Sequence, residues 1–94
     1  MLHDKQATVL MEEMYMRVSI EYTRPESRSE ICDKIGEIEI DLDVRPEVIH
    51  RRLENNAGTF SVEFGGENYI CTRKSGEFIE RLLKKLDIQK CEYL

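Results

Sequence analysis

No run of apolar residues in this sequence approaches the roughly 18 needed to cross a bilayer as a helix, so a helical membrane span is excluded. The opening Met1-Leu2-His3-Asp4-Lys5-Gln6 lacks the basic start and apolar stretch of a signal peptide, and a cytoplasmic location is the expectation. Cysteine is scarce and unpaired. Cys32, Cys71 and Cys91 stand far apart, whereas a disulfide framework wants an even count and a zinc site wants close Cys or His pairs. No metal or cofactor is therefore expected, and Cys32 and Cys71, set in apolar patterns, read as buried thiols. Gly65-Gly66 has no Lys-Ser or Lys-Thr after it and reads as a turn rather than a phosphate cradle. None of Ser19, Ser27, Ser29, Ser61 or Ser75 sits in a nucleophile elbow. Cys91-Glu92-Tyr93-Leu94 lacks the aliphatic pair of a prenylation signal. With no catalytic signature left, the chain reads as a non-enzyme. Repeats, linkers and low-complexity segments are also missing.

What is present is an ordinary globular composition, 40% hydrophobic and 35% charged over 94 residues. That length supports a single domain, 1–94, with one modest core and residues 88–94 as a tail. The net charge of −5 is unevenly spread. Residues 21–44 carry three positive and eight negative side chains, whereas residues 45–94 carry nine positive and eight negative. Phosphate binding draws on Lys and Arg, so any nucleic-acid surface belongs to the second half.

Residues 57–86 carry the clearest pattern. Phe60, Val62 and Phe64 alternate with Ser61 and Glu63, as in a strand with one face buried. Gly65 to Asn68 turns the chain, and Tyr69-Ile70-Cys71-Thr72 returns as a second strand. Ser75 then caps a helix whose apolar positions Phe78, Ile79, Leu82, Leu83 and Leu86 share one side.

Upstream, the periods overlap. Ala7, Leu10, Met11, Met14, Val18 and Tyr22 follow helical spacing, and strong helix formers over Gln6–Met14 favour a helix there. Met14, Met16, Val18, Ile20 and Tyr22 also alternate as a strand would. Pro25 breaks the chain, and Ser27 with Glu30 has the form of a capping box. Ile31, Ile35, Ile38 and Leu42 make a helical stripe, but Ile38, Ile40, Leu42 and Val44 alternate with Glu37, Glu39, Asp41 and Asp43. Gly36 would then separate a short helix from a strand. Pro46 suits the first turn of a further helix burying Val48, Ile49 and Leu53 and stopping at Asn55-Asn56-Ala57-Gly58.

Three of these blocks, taken in order, resemble a winged helix-turn-helix domain. Ser27–Gly36 is similar to its second helix, Pro46–Glu54 to its recognition helix, and the hairpin Thr59–Thr72 to its wing, with Thr72–Leu82 similar to the exit into a closing helix. The resemblance implies an α+β fold of three helices, a two-stranded wing and a C-terminal helix. It also implies a DNA-binding transcriptional regulator, with His50, Arg51, Arg52 and Asn55 on the recognition helix and Arg73 and Lys74 beside the wing. The apolar surplus of the first helix (Met11, Met14, Met16) and of the last (Leu82, Leu83, Leu86) adds the expectation of a homodimer.

The alternative fold is a βαβαββα sheet with helices packed on it, in which Met14–Tyr22 and Glu37–Val44 are strands. Glu37, Glu39, Asp41 and Asp43 would then line one face of a strand. The chain would be a small acidic protein-binding module or inhibitor engaging a basic protein partner through residues 37–43.

Overall fold

A computed structural model describes residues 5–66 and 72–94. Strands β1 (Lys5–Glu12) and β2 (Tyr15–Tyr22) form a hairpin, followed by helix α1 (Pro25–Leu42) and strand β3 (Glu47–Arg52). A short 3-10 turn, Glu54–Asn56, leads into β4 (Gly58–Gly65), then helix α2 (Thr72–Lys85) and strand β5 (Lys90–Tyr93). The sheet order is β3-β4-β2-β1-β5, antiparallel throughout except for the parallel pair β1 and β5. Both helices lie on one face of the sheet. Between them and the sheet sits a core of Val9, Val18, Ile20, Phe60, Val62 and Phe64 against Ile31, Ile35, Ile38, Phe78, Ile79 and Leu82.

This is an α+β fold, but not the three-helix, two-stranded-wing arrangement. The N-terminal segment is a hairpin because alternation outweighs propensity. As strands, β1 and β2 bury Ala7, Val9, Met16, Val18, Ile20 and Tyr22 on one face. A helix over the same residues gains only tenths of a kcal/mol per residue from propensity. Met14 turns the hairpin at φ 59°. Met11 and Met14, expected on a helical dimer face, are exposed strand-end and turn residues.

Glu37–Val44 does not form a strand either. α1 runs unbroken through Gly36, about 27 Å at 1.5 Å per residue, and buries Ile31, Ile35 and Ile38. It starts at Pro25 rather than at a Ser27 cap, with Arg24 extended before it. Successive residues on a helix turn by 100°, so Glu37 and Asp41 share a side that Glu39 and Asp43 do not. The single-faced row of carboxylates is thereby undone. Cys32, expected inside, lies on the exposed side of this helix.

Both helices stop in the same way. Asp43 takes φ 52°, with the Asp43 N–H donating to the Ile40 carbonyl and the Val44 N–H to the Glu39 carbonyl. Asp87 also takes φ 52°, with Asp87 N–H donating to Lys84 and Ile88 N–H to Leu83. These are Schellman stops, with Asp in the left-handed position where Gly is commonest. Val44 and Ile88, the residues after each stop, pack against the core.

The recognition-helix segment is strand β3. The residue before Pro46 favours extended backbone, and Val48 and Ile49 are β-branched. Pairing Val48 with Val62 and His50 with Phe60 covers the flank of β4. β4 itself matches the sequence pattern, with Phe60, Val62 and Phe64 all buried. It pairs with β2 and β3. The returning strand expected at 69–71 lies outside the described residues, and Thr72 opens α2. The tail contributes β5, with Gln6 opposite Lys90 and Val9 opposite Tyr93.

Candidate functional site

The site grows out of β3, an outer strand whose six residues are all exposed. Its helix-side positions are Val48, His50 and Arg52, which pair with the inward-facing Val62, Phe60 and Gly58. Its other face carries Glu47, Ile49 and Arg51. Exposed apolar side chains lie on both of its faces and just past its end: Val48 at 38%, Ile49 at 43% and Leu53 at 55%. Between α1 and β3 runs a cleft of about 380 Å³ lined by Cys32, Ile35, Gly36, Glu39, Pro46, Val48 and Phe60.

His50 is fixed rather than loose on this edge. Its ring stacks on Phe60 at a centroid distance of 4.3 Å and an interplanar angle of 10°. The Tyr22 hydroxyl lies 2.6 Å from His50 Nε2. Partial burial lowers the His50 pKa below its ordinary value, and the positive charges of Arg52 and Arg28 push it the same way. The pair is hydrogen-bonded, and the imidazole tautomer sets which of the two donates. Gly58 makes room for this cluster, because a Cβ there would collide with the Tyr22 ring.

Below the cluster, at the end of the sheet where α1 begins, Arg28 and Arg52 flank a second cleft of about 380 Å³ with Tyr22, Pro25, Leu53, Asn55, Asn56 and Ala57. Asn55 and Asn56 hold left-handed backbone at φ 60° and 66°. Neither arginine has an ion-pair partner among the described residues.

The six residues expected on a nucleic-acid surface are therefore split. Arg52 and Asn55 meet in the arginine cleft, with His50 just above. Arg51 points to the open face of the sheet, in a hollow with Arg17, Ser19, Ile49, Thr59, Ser61 and Glu63. Arg73 lies at the opposite end of the sheet, beside Met11 and Tyr93. Lys74 Nζ donates to the Leu42 carbonyl at 3.2 Å and ties the start of α2 to the end of α1. Nor do the four carboxylates act together. Glu37 lies 3.2 Å from Lys34 Nζ and 3.7 Å from Lys85 Nζ. The Lys34 hydrogen bond and charge hold its carboxyl below the usual value. Asp43 is taken up in the helix stop.

Sequence reasoning missed Arg28, which nothing local distinguishes from any other solvated helix arginine. The packing of α1 on the sheet, together with the pairing of β3 and β4, brings it near Arg52. Among the described residues, no three His, Cys, Asp or Glu side chains gather as metal ligands, and no helix is long and apolar enough to cross a membrane. No family model, curated protein or solved structure matches the chain.

Proposed function

We propose that this protein is a small protein-binding module that works through the β3 edge, by pairing an extended segment of its partner with that strand. The observation that carries this reading is a six-residue outer strand exposed along its whole length and bordered by an apolar cleft. Backbone groups on such an edge supply affinity, and pockets beside it select side chains. The module class is that of the acidic interaction domain expected from the sequence. The surface differs, because the 37–43 carboxylates lie on separate sides of α1 and one of them is neutralised by lysines.

Peptide selection tests the reading. Random extended peptides recovered on the immobilised protein should carry apolar residues at alternate positions and shift the amide resonances of residues 47–52. A His50→Pro variant, lacking one edge donor, should recover none of them. Equal recovery by that variant counts against the edge.

A second reading keeps nucleic acid as the ligand, at the Arg28–Arg52 cleft rather than on a recognition helix. It is supported by two arginines without carboxylate partners among the described residues, in a chain of net charge −5. Such binding weakens steeply with salt. Titration with duplex and single-stranded DNA at about 50 mM salt, where phosphate contacts are strongest, tests it. Absence of binding there removes the reading.

A further inference from the structure

Resting on the edge reading, we propose that the partner at β3 is a second copy of this chain, joined by a two-fold axis at Ile49 so that two five-stranded sheets become one of ten.

The direction of the backbone groups comes first. The Leu53 N–H donates to the Ala57 carbonyl at 2.9 Å, and these two residues continue the register in which β3 pairs with β4. Bonded and non-bonded pairs alternate along an antiparallel ladder. Arg51, Ile49 and Glu47 therefore bond inward to Thr59, Ser61 and Glu63, while Val48, His50 and Arg52 turn their N–H and C=O groups to the free edge. Those outward groups are what an added strand takes up.

The side chains choose the register. Opposite residues in an antiparallel pair share a face, so a two-fold axis must pass through a residue of β3. Centred on Ile49, the axis sets Glu47 opposite Arg51 of the second copy, twice, with Ile49 against Ile49 between the two ion pairs. On the helix side it sets Val48 opposite His50, twice, and these pairs exchange backbone bonds. Centred on His50, it would place Ile49 against Arg51 and leave Glu47 opposite Leu53. Centred on Arg51, it would bring two like charges face to face. Opposite charges and apolar pairs across strands stabilise, and like charges repel. Of these three registers, the one centred on Ile49 alone sets opposite charges together, and that self-complementarity selects a second copy over an unrelated strand.

The test combines mass, charge and a covalent probe. Light scattering on the full chain should give twice 11.1 kDa at high concentration. Glu47→Arg alone, or Arg51→Glu alone, should weaken association about tenfold or more, since each places like charges together twice. The two substitutions combined should restore it. Neither position is buried, so folding survives the change. Non-bonded antiparallel pairs bring Cα atoms to about 4.5 Å, within disulfide reach. A mild thiol oxidant should therefore link Ile49→Cys chains at position 49, as mapped by peptide mass, and His50→Cys chains far more slowly.

Faster linkage at position 50, or dimers indifferent to both charge reversals, would overturn the register and with it the proposal. A strict monomer would do the same. If that monomer still binds selected extended peptides at residues 47–52, the edge reading stands without the second copy; if it binds none, both fall together.

Discussion

The sheet has two outer strands, and they differ in length, in pairing direction and in contact with the core. β5 is four residues long, lies parallel to β1, and has Cys91 packed against the core. Burial pushes the Cys91 thiol up, which favours its protonated form. A short strand of this kind offers little template for another chain. β3 is half again as long, every residue is exposed, and α1 leaves Val48 and His50 uncovered above it. One edge closes the domain and the other stays available. The two borders of a single sheet thus differ, with a short parallel pair at β1 and β5 and a longer exposed strand at β3.

The largest effect that would break this comparison comes from Phe60→Ala. The buried Phe60 ring is the surface on which His50 stacks and lies 5.8 Å from the Tyr22 ring. Its removal should cost about 3–5 kcal/mol in urea unfolding. Hydrogen exchange should then quicken in β3 while the β1–β5 pair keeps its protection relative to global unfolding. Uniform loss across both edges would show that β3 is not held separately.

A smaller effect, confined to the same edge, is pH-dependent. The His50 pKa lies below its ordinary 6.5 in the folded protein, so between the two values the unfolded chain binds more protons. The stability contributed by neutral His50 is complete above pH 6.5 and is lost as the pH falls through the folded value. Thermal melts between pH 5 and 8 should show this slope, and a His50→Gln variant should flatten it.

The smallest effect sharpens the comparison by treating both edges alike. Asp43 and Asp87 occupy the same left-handed stop, one before β3 and one before β5. Glycine accepts that backbone without a Cβ clash, so Asp43→Gly and Asp87→Gly should each raise stability by up to about 1 kcal/mol. Equal gains would confirm equivalent stops feeding unequal strands.

Parts of this fold were legible in the sequence for specific reasons. β4 has a clean two-residue alternation, α2 a clean apolar side, and the Ile31-Ile35-Ile38 stripe of α1 survives the competing strand pattern. The first hairpin was obscured because residues 6–14 are good helix formers and their apolar positions satisfy two periods at once. β3 was obscured because Val48, Ile49 and Leu53 fit one side of a short helix, and the strand's partner, β4, lies beyond a turn. Four residues are too few for any period to show, which hid β5. The arginine cleft needed residues 28 and 52 to meet, which only the tertiary arrangement accomplishes. Its other arginine-side members, Arg52 and Asn55, were singled out from sequence on a helix that does not form.

The parallel joining of Gln6–Val9 with Lys90–Tyr93 has a kinetic consequence. Almost the whole chain must be threaded between those two strands before they meet, and distant pairings of this sort slow folding relative to local ones. The hairpin of β1 and β2 can gather early from neighbouring residues, while its outer flank waits bare for residues 90–93 to arrive. On a ribosome that interval lasts until residues 90–93 clear the exit, and during it the β1 side is a second open border of the nascent sheet, beside β3.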